Sequence, residues 1–297
     1  GFSDDGIPVA DANLMRQALA YSVEVDLPII NHAEDKKIGA GGVMSAGLVA
    51  TRLGLAGVPS EAETAMVTRD LQLAELTGAR LHIPHISTVG SIAALRAAKD
   101  RGVDVTAEVT PHHLTLNDEW IFGLKGVVPE QVGRESYDTN TKVNPPLRSR
   151  ADVDAVIEAL SEGLIDIIAT DHAPHAETDK VCTYDEAAHG INVLETAFSS
   201  VFELVGGSKI SLNRLIESLT ASPAKILNRD LGSLKQGFSA DVAIIDPTSK
   251  WVVNPQEFIS KSANSPLDGV ELTGRVVRTI YQGETVFDMV TSAGARA

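Results

Sequence analysis

The chain has 297 residues, a net charge of −15 and a single cysteine, Cys182. This length is enough for a large buried core, and the acidic balance argues against nucleic-acid binding, which requires a basic face. No apolar run reaches the ~20 residues that span a bilayer. One cysteine excludes an internal disulfide and favours a reducing compartment, so we predict a cytoplasmic protein with small-molecule, not nucleic-acid or membrane, partners.

Most of the chain alternates short apolar strands with amphipathic helices. The first residues read as the end of a strand, and the following helix, 10–24, places Leu14, Ala18 and Tyr21 on one apolar face. The later predicted elements are strands at 27–35, 79–88, 103–114 and from 165, helices at 60–77, 89–101 and 150–162, and a loop-rich stretch up to about residue 148. This alternation predicts βα units and a parallel sheet that is buried on both faces.

The pattern changes at about residue 230. The segments "LGSLKQGFSADVAIIDPTSKWVV" and "GRVVRTIYQGETVF" are β-branched runs separated by turn residues. We therefore predict that residues 1–229 form part of a barrel domain and that residues 230–297 form a small β-rich domain.

Each predicted barrel strand ends in polar residues. Four such ends carry metal-type ligands, because imidazole nitrogen and carboxylate oxygen suit zinc or a similar divalent ion. In a (β/α) barrel these ends converge on one mouth, where active sites of this architecture lie. The four candidate ligands are Asp5, His32, His85 and Asp171.

Other polar residues near these strand ends allow more than one interpretation. His82, at an odd spacing from His85, is expected to pack behind the barrel, whereas His112 and His113 could line the mouth or cap a helix. Glu34 could support the site or be solvated. Asn144, held extended before Pro145, could present its amide to a ligand or be a plain turn residue.

Taken together, seven motifs resemble those of the dihydroorotases of the amidohydrolase superfamily, the type with an aspartate where relatives use a carboxylated lysine. They run in family order along nearly the whole chain: "FSDDG" (2–6), "NHAED" (31–35), "HIST" (85–88), "TPHHL" (110–114), "KVNPPLR" (142–148), "ATDHAPH" (169–175) and "NSPLDG" (264–269). The resemblance implies a (β/α)8 TIM-type barrel and the reversible cyclisation of N-carbamoyl-L-aspartate to L-dihydroorotate in pyrimidine biosynthesis.

The resemblance also implies roles for individual residues. Asp5 would bridge two zinc ions, and His32 and His85 would bind the second ion. Asp171 would bind the first ion and shuttle a proton between the attacking hydroxide and the ring nitrogen. The substrate would be bound by Asn144 and His175 and would lie close to the backbone at Gly190.

The family's first strand carries a His-x-His pair, and no such pair occurs in the 297 residues. The five predicted strands would be the fourth to eighth of the barrel, so we expect the N-terminal third of a dihydroorotase to be absent from this chain.

Two other interpretations stay open at this point. Hydantoinases and allantoinases carry a lysine at the bridging position, and "SDDG" and "KVNPPLR" argue against them. A non-catalytic, dihydroorotase-like partner of aspartate transcarbamoylase would usually lose ligands. For the enzyme itself, the expected assemblies are a homodimer or a complex with aspartate transcarbamoylase.

Overall fold

The computed structural model describes residues 1–289. The strands are β1 (Phe2–Ser3), β2 (Ile29–Ile30), β3 (Met44–Ser45), β4 (Gly57–Val58), β5 (Leu81–Ile83), β6 (Val105–Val109), β7 (Ile167–Ile168), β8 (Val242–Val252), β9 (Glu271–Tyr281) and β10 (Glu284–Asp288). The helices are α1 (Ala12–Glu24), α2 (Leu48–Leu53), α3 (Glu61–Thr77), α4 (Val89–Asp100), α5 (Pro111–Thr115), α6 (Arg150–Glu162), α7 (Ala197–Gly206), α8 (Leu212–Leu219) and α9 (Ala221–Ile226).

Five strands form a parallel sheet in the order β1-β2-β5-β6-β7. Each strand pairs in parallel with its neighbour, with Ile29 opposite Leu81 and Leu81 opposite Val105 in the central register. Because the strands run in one direction, their carboxyl ends lie along the same edge of the sheet. The predicted strands and the parallel α/β arrangement are confirmed.

The main hydrophobic core lies between this sheet and its helices. Leu81 and Ile83 of β5 and the alternate residues Val105, Ala107 and Val109 of β6 all belong to it. The intervening positions of β6 are more polar, since Thr106 and Glu108 are only partly buried. One face of β6 therefore packs against helices, and the other face carries polar side chains.

The predicted helices begin and end at residues with the expected capping chemistry. The side chains of Asp11, Thr88 and Ser149 accept a backbone N–H from the first turns of α1, α4 and α6. Gly78 and Gly163 follow α3 and α6 with φ of 68° and 83°, in the left-handed conformation that favours glycine. The helix bounds predicted from the sequence agree with the structure to within two residues.

Of the apolar face predicted for α1, Ala18 packs against the main core, and the fully buried stripe lies beside this face. Met15 and Leu19 are fully buried, whereas Leu14 and Tyr21 are 55% and 69% exposed. Helix α1 contacts α3 and β2, and this contact turns the Met15–Leu19 stripe towards the core. The helix is apolar on two stripes, so the sequence pattern alone could not decide which of them is buried.

The last three strands form an antiparallel sheet in the order β10-β9-β8. It packs against α7, where Ser199 Oγ donates to the Gly274 carbonyl and Phe202 lies against Gly274. The predicted β-rich C-terminal segment is confirmed, while its boundary at residue 229/230 stays a prediction. In residues 1–289 every helix is too short or too polar to cross a bilayer.

Candidate active site at the carboxyl edge of the sheet

The two adjacent aspartates after β1 have different environments. Asp4 Oδ1 accepts the His32 backbone N–H at 2.8 Å and its Oδ2 accepts the Val9 N–H at 3.0 Å. Asp5 is exposed, and its charge helps to raise the pKa of Asp171. Asp4 thus holds the backbone of His32, which follows β2. The Asp5 carboxylate is available to bind a ligand.

The ends of β2 and β5 bring two buried histidines together. His32 Nδ1 and His85 Nε2 lie 2.9 Å apart, and the two side chains are almost fully buried. Burial, reinforced by the nearby imidazoles of His32 and His113, holds the pKa of His85 well below its usual range. The His85 ring is therefore suited to act as a neutral nitrogen ligand, which is the form that binds a metal.

A buried ion pair holds the turn that follows His85. Glu63, at the start of α3, accepts the backbone N–H groups of Ser87 and Thr88, at 3.0 and 3.2 Å. Arg148 Nη2 lies 3.3 Å from the Glu63 carboxylate, and Arg148 Nε donates to Ser87 Oγ at 3.0 Å. His85 itself has φ of 36°, an unfavourable value for a residue with a side chain, so this network fixes a strained ligand position.

Glu34 and Asn144 complete the surroundings of His32. Asn144 Nδ2 donates to Glu34 Oε2 at 2.9 Å, and the same oxygen lies 3.1 Å from His32 Nε2. The hydrogen bond from His32, assisted by Asn144 and by the Lys36 charge, lowers the pKa of Glu34 to about 2 against the opposing effect of burial. Glu34 is thus an anionic support of the site, one of the two interpretations that its position allowed.

His113 holds the loop that carries Asn144. Its Nε2 lies 3.0 Å from the Pro145 carbonyl and its Nδ1 lies 2.8 Å from Thr110 Oγ1. Its neighbour His112 is also buried, yet neither of its ring nitrogens has a partner among the described residues. Both histidines lie in the short helix α5, directly after the end of β6.

Asp171 follows β7 in a left-handed conformation with φ of 47°. Burial, together with the negative charges of Glu108 and Asp5, raises the pKa of Asp171 to about 6, and His32 opposes the shift. The four candidate ligand positions are thus linked: His32 touches His85, and Asp171 is coupled electrostatically to Asp5 and His32.

The structure corrects the expected position of His82. His82 Nε2 lies 2.9 Å from Glu108 Oε2 and its Nδ1 lies 2.7 Å from Thr106 Oγ1. These partners lie on the polar face of β6, opposite the helix-packed face, so His82 is inside the sheet's concave side and not behind it. The prediction from the odd spacing between His82 and His85 failed because the strand ends at Ile83. Side chains beyond that residue no longer alternate between the two faces of the sheet. Glu108 is a site residue that sequence reasoning missed.

The loop after Asp171 brings His175 and Gly190 together. His175 Nε2 lies 2.8 Å from the His189 carbonyl. At Gly190, with φ of 151°, an added Cβ would lie 2.6 Å from the Ala173 carbonyl, so a side chain there would clash. Asn264 Oδ1 accepts the His175 N–H at 3.2 Å, and Asn264 Nδ2 donates to the Gly190 carbonyl at 3.0 Å. Asn264 lies in the motif "NSPLDG" and was not predicted individually.

The donor chemistry fits a divalent metal ion. Two nitrogen ligands of a tetrahedral zinc, each about 2.05 Å from the metal, are ~3.3 Å apart, and His32 Nδ1 and His85 Nε2 are 2.9 Å apart. A small ring rotation would therefore give the spacing that a metal requires. Among residues 1–289 no group of three or more His, Cys, Asp or Glu side chains is already arranged to hold an ion. The two histidines are therefore candidates for the nitrogen part of a ligand set.

A parallel α/β sheet that gathers histidines and aspartates at its carboxyl edge defines a TIM-type barrel of the metal-dependent hydrolase kind. The solved structures agree. The L-hydantoinase (dihydropyrimidinase) from Arthrobacter aurescens superposes with a TM-score of 0.81 at 27% identity, over 97% of this chain and 63% of that one. A dihydropyrimidinase from Brevibacillus agri gives 0.80 at 22% identity, which shows the fold alone. The chain belongs to the amidohydrolase family, whose profile matches residues 2–286.

Curated relatives are more similar in sequence. The dihydroorotase of Syntrophus aciditrophicus is 46% identical over 286 residues, and that of Pelotomaculum thermopropionicum is 49% identical over 286 residues. Each alignment covers 96% of this chain and 64% of the relative, so the chain spans less than two thirds of their length. The family resemblance seen in the motifs is confirmed, and family membership implies a metal-dependent enzyme.

Proposed function

We propose that this chain carries the active site of a dihydroorotase, which interconverts N-carbamoyl-L-aspartate and L-dihydroorotate in pyrimidine biosynthesis. The observation that carries the proposal is Asp5, an exposed aspartate at the end of β1, where the resemblance assigns a lysine to hydantoinases and allantoinases. The names of relatives at 45–49% identity support the same reaction. The hydantoinase alternative rests on a more distant likeness, at 27% identity.

The proposed metal is zinc, held as two ions by Asp5, His32, His85 and Asp171 together with ligands from the rest of the whole protein. When bound, the ions polarise the amide carbonyl and make water a better nucleophile near neutral pH. Glu34 would keep His32 oriented, as carboxylate partners of metal-binding histidines do. The Glu63–Arg148 pair would hold His85 in the same way through the backbone of the following turn.

Ring opening requires a proton transfer that Asp171 is placed to make. Water adds to the carbonyl carbon, the carbon–nitrogen bond of the ring breaks, and one proton passes from the water to the departing nitrogen. Asp171 would accept this proton and deliver it, a role typically worth about 10²–10⁴-fold in rate.

Substrate binding would fall to Asn144, His175 and the backbone at Gly190. The Asn144 amide can donate to a substrate oxygen, and the imidazole of His175 can donate to a carboxylate. The absence of a side chain at Gly190 lets Ala173 and His175 pack directly against its backbone, since an added Cβ would lie 2.6 Å from the Ala173 carbonyl and 2.9 Å from His175 Cδ2. The cytoplasmic location stays a prediction that rests on the single cysteine. Assembly as a homodimer or with aspartate transcarbamoylase also stays a prediction.

The substrate assignment is tested by comparing turnover of L-dihydroorotate, hydantoin and allantoin by the whole purified protein. We expect dihydroorotate to be the preferred substrate by kcat/KM. Faster turnover of hydantoin than of dihydroorotate would overturn the assignment.

The two neighbouring aspartates provide a matched pair of variants for the metal assignment. Asp5→Asn should lower the metal content measured by elemental analysis, together with activity. Asp4→Asn should keep the metal and reduce thermal stability, because Asp4 bonds only backbone N–H groups of Val9 and His32. Unchanged metal content in Asp5→Asn would remove Asp5 from the ligand set.

A further inference from the structure

Lys180 is a buried lysine whose ammonium group, within the described residues 1–289, donates to backbone carbonyls alone. Its Nζ donates to the carbonyl oxygens of Ala188 at 2.7 Å, Thr139 at 3.1 Å and Lys142 at 3.3 Å. The residue is 5% exposed, and within residues 1–289 its ammonium forms no ion pair with a carboxylate. All three donors of the ammonium are thus used by the main chain.

Such an arrangement is costly, because a buried charge without a counter-ion loses its hydration. Burial and the neighbouring Lys142 charge lower the pKa of Lys180 to about 8, while Asp138, Cys182 and Asp179 oppose the shift. The cost is offset only if the three carbonyls stay in place. The Lys180 ammonium therefore holds together the loop segments that supply these three carbonyls.

The three carbonyls belong to the loops that carry the proposed substrate contacts. The Lys142 carbonyl also accepts the Gly190 N–H at 2.8 Å, and Asn144 follows two residues later. Ala188 precedes His189, whose carbonyl meets His175 Nε2 at 2.8 Å. Thr139 Oγ1 donates back to the Lys180 carbonyl at 2.6 Å, which closes the connection.

We propose that Lys180 is a positioning residue for substrate binding: its ammonium clamps the loops 139–144 and 188–190, so that Asn144, Gly190 and His175 face the substrate together. This inference rests on the proposed function. Lys180 acts through these residues and touches neither the substrate nor the metal ligands. Its effect is therefore on KM, with the metal content preserved.

The main test compares Lys180→Met, which keeps an unbranched side chain as far as Cε and removes the ammonium group, with Lys180→Arg, which keeps the charge. In the whole protein, Lys180→Met should raise KM for dihydroorotate by about 10-fold or more, the size of a lost hydrogen bond to a charged group. Its kcat should change less than KM, and its zinc content should match wild type. Lys180→Arg should recover part of the loss, because guanidinium can also donate to several carbonyls.

Lys99→Met is the matched control. Lys99 is also a partly buried lysine whose Nζ donates to a carbonyl, that of Leu164, at 2.8 Å, but it lies beside Asp166 ahead of β7. We expect this variant to lower stability without changing KM. An unchanged KM in Lys180→Met, an equal rise of KM in Lys99→Met, or loss of metal from Lys180→Met would each overturn the clamp.

Hydrogen exchange separates this inference from the proposed function. In Lys180→Met the Gly190 amide and segment 139–144 should exchange faster than in wild type, whatever reaction the protein catalyses. Thr139→Val, which removes only the bond to the Lys180 carbonyl, should act in the same direction and more weakly, and it serves if Lys180→Met does not fold. If wild type fails to turn over dihydroorotate while exchange changes as expected, the clamp stands and the reaction is wrong. Unchanged exchange in both variants overturns the clamp.

Discussion

At the scale of single residues, some carboxylates at the site hold neighbouring protein groups, and others are candidates to bind a metal or substrate. Asp166 and Asp171 flank the same short strand, β7, and differ in their partners. Asp166 Oδ2 accepts Lys99 Nζ and the Ala107 N–H, both at 2.8 Å. Among residues 1–289 Asp171 has no such hydrogen-bond partner, and its pKa is raised by burial and by Glu108 and Asp5. A carboxylate left without donors in a partly buried position is suited to ligand binding or proton transfer.

This difference predicts opposite results for two matched substitutions. Asp171→Asn should lower kcat by about 10²-fold or more, because the amide cannot accept the proton. Asp166→Asn should lower the melting temperature and leave kcat close to wild type, since it weakens only the contacts with Lys99 and Ala107. Steady-state kinetics and thermal unfolding of both variants check this. A kcat for Asp171→Asn within a few-fold of wild type would falsify its assignment as the proton shuttle.

The sequence predicted the strand-end residues but not the contacts that hold them. Asp5, His32, His85 and Asp171 were found because each ends an apolar run, a local pattern. Glu108 and Asn264 were missed as site residues because their partners lie far along the chain: Asn264 meets His175 across 89 residues. Whether the four candidates form one ligand set is still a prediction.

At the scale of elements, prediction worked where local chemistry was strong. The amphipathic patterns predicted α1, α4 and α6, whose starts coincide with the capping residues Asp11, Thr88 and Ser149. The short strands β3 and β4 had no prediction, because two residues cannot show an alternating pattern. Met44 of β3 and helix α2 pack against Phe122 and Tyr184, which come from distant parts of the chain, and β4 pairs with β3. These elements owe their conformation to tertiary contacts.

The contact between α3 and the turn after β5 gives an element-scale prediction. Glu63→Gln leaves Arg148 buried without its counter-ion, so the free energy of unfolding should fall by about 3 kcal/mol, the lower end for a broken buried pair. Glu61→Gln, exposed in the same first turn of α3, is the control and should change it by less than about 0.5 kcal/mol. Urea unfolding measures both. A loss below about 1 kcal/mol would show that the pair is dispensable.

The same pair predicts the pH dependence of stability. Although burial raises the pKa of Glu63, Arg148 and the hydrogen bonds from Ser87 outweigh it, and the net effect lowers this pKa below its ordinary value of 4.5. A carboxyl group with a lowered pKa in the folded state stabilises the fold above its unfolded value, and this contribution is lost as the pH falls through the folded value. The difference in free energy of unfolding between wild type and Glu63→Gln should therefore shrink as the pH falls below 4.5.

At the scale of the whole molecule, the sheet has two open edges in the described residues. Strand β1 pairs only with β2, and β7 pairs only with β6. Next to β1, helix α1 exposes Leu14 and Tyr21. The alternating pattern predicted a parallel sheet covered by helices, whereas the barrel class was implied by the motif resemblance. It could not decide which stripe of α1 is covered, since both are apolar.

These exposed groups predict how the 297-residue chain behaves when it is expressed by itself. Open strand edges and an apolar helix face favour association with further copies, whereas the net charge of −15 opposes it by repulsion. Salt screens this repulsion, so association should increase between low salt and about 0.15 M, where the Debye length is about 8 Å. Sedimentation velocity at a series of protein and salt concentrations measures this.

The double substitution of Leu14 and Tyr21 by lysine should reduce association. Leu76→Lys, at an exposed leucine on α3, is the control and should not. A monodisperse monomer at all salt concentrations would show that these surfaces do not drive contacts between copies.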